Sequence, residues 1–125
     1  MTTAESGRTL AEDLLARAAE DWVSAAEVID LVRRSGAHDP ETLRDLAVGL
    51  ISRLIVQDLI CAGDVVEGRH VPWPLDAGDA IARLTRAWIA EPDPFVMPGA
   101  VVWLDTTASG QARGEAIWHR ETGES

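Results

Sequence analysis

The chain has 125 residues, 46% of them apolar, which is enough for one core and is most simply a single domain. Eleven basic residues, all arginine, stand against 21 acidic ones, and the net charge of −10 opposes phosphate neutralisation, so nucleic acid is a disfavoured partner. No run reaches the ~18 apolar residues of a membrane span, and the lone cysteine, Cys61, excludes an internal disulfide or a cysteine-rich zinc site.

The N-terminus carries acidic residues and no apolar run of the signal-peptide kind, so a cytoplasmic location is expected. Residues 1–8 lack a pattern and read as a flexible tail; residues 9–119 read as the domain and 120–125 as a second tail. A first helix starts at Thr9, where Thr9 and Glu12 fit a capping box and Leu10, Leu14, Ala18 and Trp22 recur every fourth residue. A second starts at Ser24, with Glu27 completing its box and Val23 and Val28 placed as a hydrophobic staple. Ala25, Val28, Ile29 and Val32 face inward, and Gly36 ends the helix.

Four residues later Asp39 and Pro40 open a long central helix, 40–58. Leu43, Leu46, Ala47, Leu50 and Leu54 form its predicted buried stripe, while Val48, Ile51, Ile55 and Val56 lie off it. A helix apolar around so much of its circumference is packed on two sides or offers a face to a partner. Residues 59–62 read as a short strand, Gly63-Asp64 as a turn, Val65 and Val66 as extended, and 68–75 as irregular because Pro72 and Pro74 remove backbone donors. Asp76 and Asp79 open a helix over 77–90 with Ile81, Leu84 and Trp88 on one face. Pro92, Pro94, Pro98 and Gly99 break the next stretch; 100–105 is the clearest strand, and Thr107 caps a last short helix through Ala112, Ala116 and Ile117.

The order of helix, helix, short turn, long helix and strand, then a later strand running into TTASGQA, resembles a winged-helix domain. Thr107 and Gly110 keep the threonine–glycine spacing that follows the last strand in many such proteins, although Asp105 and Thr106 separate Leu104 from Thr107. Where that family joins its two wing strands by a short loop, this chain inserts a whole helix and a proline-rich loop. The resemblance implies an α+β fold, mostly helical, winged-helix-like with a small antiparallel sheet.

If the central helix reads DNA, Thr42, Arg44 and Arg53 are the contacts, but Glu41 and Asp45 on the same helix oppose phosphate. Val48, Ser52 and Val56 lie away from the main stripe; the helix over 77–90 is the expected cover for the two valines, a homodimer or partner the other. Trp22, Trp88 and Trp103 are expected in the core, and Trp73 as a plug between loop and core, with an exposed anchor as the alternative. His38, His70 and His119 are far apart, Asp76 and Asp79 are helix caps, Cys61 is a buried thiol, and phosphate loops are absent. No enzyme, cofactor or metal is expected.

The functional expectation is a non-catalytic acidic domain that binds a basic protein, in one concrete form an immunity- or antitoxin-type inhibitor of a basic toxin. Carboxylates would then occupy the toxin's phosphate-binding region and steer association, with Glu41, Asp45, Asp58, Asp64 and Glu67 as contacts. The alternative is a winged-helix transcription regulator, which arginines gathered beside the central helix would favour.

Overall fold

Local hydrogen bonds set most of the helix starts. In the computed structural model, which describes residues 8–93, 95–97 and 100–121, Glu12 N–H donates to Thr9 Oγ1 and Thr9 N–H to Glu12 Oε1, both at 3.0 Å, opening α1 (Leu10–Glu20). The same reciprocal cap, Ser24 with Glu27, opens α2 (Ala25–Val32). Ser24 has a second role that the sequence did not reveal, because Val23–Ser24 is also a short strand, β1. A 3-10 turn, Arg33–Ser35, follows α2, and Gly36 reverses the chain at φ 92°. Asp39 then accepts from Thr42 N–H at 3.0 Å and opens α3 (Pro40–Val56), which stops two residues short of the predicted end.

The buried face of α3 is Leu43, Ala47, Ile51, Leu54 and Ile55. The predicted stripe is therefore corrected: Leu46 is 40% exposed and Leu50 only partly buried, while Ile51 is fully buried. Apolar residues occupy most of this helix's circumference, so periodicity left its phase open; packing against α2, α4 and β2 selects it.

The chain continues through β2 (Ile60–Val66), β3 (Arg69–Pro72), α4 (Ala77–Ile89), β4 (Trp103–Thr106) and α5 (Ala108–Glu121). The four strands form one antiparallel sheet in the order β1-β4-β2-β3, with Leu104 opposite both Val23 and Ala62. The fold is α+β. Three strand expectations change. Gly63 and Asp64 are not a turn; β2 runs through them, and Gly63 fits because a Cβ there would meet the Val71 carbonyl oxygen at 2.3 Å. The turn lies at Glu67 and Gly68, both at positive φ, and the supposedly irregular 68–75 supplies β3. Pro72 is tolerated as the last residue of an edge strand, where no ladder donor is needed. The last strand starts at Trp103, not at 100, because Val101 takes φ 72° and interrupts extended backbone.

Leu14, Val28, Leu43, Ile51, Leu84, Trp88 and Leu104 form the centre of the core. Of the three tryptophans expected there, only Trp88 is fully buried. Trp22 falls past the end of α1 and Trp103 sits on β4, both half-buried, with His70 near each: its Nε2 is 3.0 Å from the Trp103 carbonyl oxygen and its ring 6.3 Å from that of Trp22. Trp73 is buried as expected, its Nε1 donating to Asp64 at 3.1 Å beneath the Arg83 guanidinium. Cys61 is half-buried, less than expected. The final helix is long, not short; it reaches Glu121, which pairs with Arg8 at the other end of the domain. Trp118 on this helix donates to the Ala16 carbonyl oxygen at 3.0 Å with the Arg8 guanidinium 4.4 Å above its ring. Of the predicted loop breakers, Pro94, Pro98 and Gly99 lie outside the described residues. No described helix is long and apolar enough to cross a membrane.

Candidate functional site

Ion pairing decides which charges remain for a partner. Asp13, buried on α1, binds Arg8 at 2.9 Å, Arg17 at 3.2 Å and also Arg34. Burial pulls the Asp13 carboxyl upward, but Arg17, Arg8 and Arg34 outweigh it and hold it below the usual carboxylate value. Arg33 pairs with Asp30 at 2.8 Å, Arg44 with Asp45 at 3.1 Å, Arg83 with Asp64 at 3.7 Å and Arg120 with Glu12 at 3.1 Å. Seven of the eleven arginines are thus bound within the chain. Among the described residues most exposed carboxylates are in no ion pair.

The expected contact residues do not form one patch. Glu41 and Asp45 are exposed on the first turns of α3, beside Thr42, whose hydroxyl is bonded to the cap Asp39 at 3.0 Å. Asp58 lies beyond the opposite end of this 17-residue helix, about 25 Å away along its axis. Asp64 is already held by Trp73 and Arg83, and Glu67 stands at the tip of the β2–β3 hairpin. Val48 is partly buried against the core, but Val56 is 67% exposed, so the expected cover of both valines fails at the second. Ser52 is half-buried, and its Oγ has no hydrogen-bond partner among the described residues.

Carboxylates do converge where α1 ends against α5. Ala19, Glu20, Asp21, Gln111, Glu115, Trp118 and His119 line an open cleft of about 640 Å³. Gln111 braces it, donating to the Ala19 carbonyl oxygen at 3.0 Å and to Glu115 at 2.9 Å. Among the described residues none of Glu20, Asp21 and Glu115 is in an ion pair, so this concavity offers three carboxylates to an ammonium or guanidinium group. The cleft has no local signal in the sequence, because only the packing of α1 on α5 brings Glu115 to Glu20.

Arg53, exposed on α3, lies with Arg113 and Arg120 of α5 around a separate cleft. The thiol of Cys61 is pushed up by burial and by Asp105, away from nucleophilic use. No group of three or more metal-ligating side chains occurs among the described residues. Comparison with protein families, curated proteins and solved structures finds no match to this chain.

Proposed function

We propose that this chain is a non-catalytic protein-binding domain on a winged-helix-like scaffold, which takes a basic protein on its acidic surface. The scaffold reading rests on α2 and α3 joined by a short turn, on the last strand, β4, lying between β1 and β2, and on Thr107 and Gly110 at the start of α5. One concrete form is an immunity- or antitoxin-type inhibitor that covers the phosphate-binding region of a nuclease or similar toxin. The observation that carries the reading is internal pairing of seven arginines, with Glu41 on α3 and Glu20, Asp21 and Glu115 in the cleft outside every ion pair among the described residues. Such a surface steers a basic partner and repels duplex DNA.

A second reading, a DNA-binding regulator, draws on the three arginines grouped beside α3. They sit at its C-terminal half, whereas a reading helix presents its N-terminal residues to bases; here those are Glu41, Thr42, Arg44 and Asp45, with Arg44 already paired to Asp45 and the Thr42 hydroxyl to Asp39. The test uses the full chain with the proteins encoded next to it and with duplex DNA. The proposal expects a tight complex with a basic neighbour, association slowed at least tenfold by E20K/D21K/E115K, and no DNA shift. Salt-sensitive DNA binding without any protein complex would overturn it.

A further inference from the structure

A concave surface of opposite character lies elsewhere on the molecule and shares no lining residue with the acidic cleft. One half is apolar: Leu10, Val32, Leu46, Gly49 and Leu50 line an open groove of about 510 Å³ between the start of α1 and the outer side of α3. At Thr9, Ala11 and Arg53, which line both, it meets a cleft of about 500 Å³ that Arg113 and Arg120 also border. Those two arginines are seven residues apart on α5, two turns along one face. Glu12 neutralises Arg120 and Arg44 neutralises Asp45, but among the described residues Arg53 and Arg113 have no carboxylate partner. In a chain of net charge −10, this groove is locally basic.

Gly49 is the second observation. Glycine weakens a helix interior relative to alanine, and a Cβ at this position would meet nothing within 4 Å. The fold therefore has no steric need for glycine there; what the missing side chain does is deepen the groove beside Leu46, which is 40% exposed.

We propose that this groove seats an amphipathic helical segment of a partner protein, its apolar side chains on Leu46, Gly49 and Leu50 and its carboxylates over Arg53 and Arg113. Charge complementarity selects an acidic segment. The open shape selects a helix over a small molecule, which needs most of its surface enclosed. A nucleic acid fits less well, because half of the groove is apolar and offers no donor to phosphate.

The test selects 16-residue peptides from a random phage-displayed library on the full chain, then measures their binding as synthetic peptides by fluorescence anisotropy. Selected peptides are expected to carry apolar residues at i, i+4 and i+7 and at least two carboxylates. Their affinity should fall at least tenfold for Gly49→Leu, which fills the floor, and for R53E/R113E, and stay within twofold for E20K/D21K/E115K. Circular dichroism melting confirms that each variant is folded; should Gly49→Leu fail to fold, R53E/R113E decides alone. No enrichment, enrichment of basic peptides, or binding that survives R53E/R113E overturns the proposal. So does a dimer in sedimentation equilibrium that R53E/R113E dissociates, since the occupant is then a second copy of the chain.

Discussion

Gly110 approaches the Leu59 carbonyl so closely that a Cβ on it would lie 1.7 Å from the oxygen. Thr107 completes the junction: its N–H donates to the same carbonyl at 3.1 Å, and its hydroxyl donates to the Asp58 carbonyl at 2.7 Å and accepts from Gly110 N–H at 3.0 Å. The start of α5 is thereby clamped to the segment after α3. Backbone cannot yield as a side chain does, so Gly110→Ala forces the two elements apart and should cost about 2–4 kcal/mol. Urea unfolding measures this; an unchanged midpoint would mean that α5 docks elsewhere.

Asp13 gathers three guanidinium groups, and its removal leaves all three without that partner. Asp13→Asn should destabilise the fold by about 2–3 kcal/mol. The pH dependence follows from the sign of the shift. The folded carboxyl is depressed, so its stabilisation is fully present above the unfolded value of about 3.9 and is lost as pH falls through the folded one. Urea midpoints measured from pH 7 down to pH 3 should fall more steeply at the acid end for the native chain than for Asp13→Asn; parallel curves would contradict the assignment.

Gly49→Ala should raise stability by about 0.5–1 kcal/mol, because the helix gains propensity and no neighbour stands within 4 Å of the added methyl. Thermal melting at neutral pH tests it. A lower melting temperature would show that the α3 surface is more crowded than its geometry allows.

Trp73 joins the hairpin side of the sheet to α4 through its bond to Asp64 and the Arg83 guanidinium 4.0 Å from its ring centroid. Trp73→Phe keeps an aromatic ring and loses the indole donor, a cost of about 1 kcal/mol. Trp73→Ala also empties a buried site and should cost about 3–4 kcal/mol. Similar losses for the two variants would mean that the hydrogen bond, not the packing, secures this loop.

The sites divide between local and distant causes. Exposure of Glu41 and Asp45 was legible, since their positions on a capped helix follow from Asp39, Pro40 and the apolar spacing beyond. The neutralisation of Asp45 by Arg44 depends on rotamers that no spacing rule fixes. Glu20 and Glu115 are 95 positions apart in the chain, so their shared cleft had no local signature. The apolar groove is hidden in the sequence for another reason: Leu46 fits the apolar spacing of α3, and only packing turns it outward.

The amino-acid order alone determined where α1 through α4 begin, because capping joins a side chain to a backbone N–H only three residues away. It also determined the excess of carboxylate over guanidinium. Tertiary packing decided the face α3 buries, the pairing of β1 with β4, and which charges remain free. Those depend on contacts between segments far apart along the chain, where several arrangements satisfy the same local rules and the best-packed one prevails.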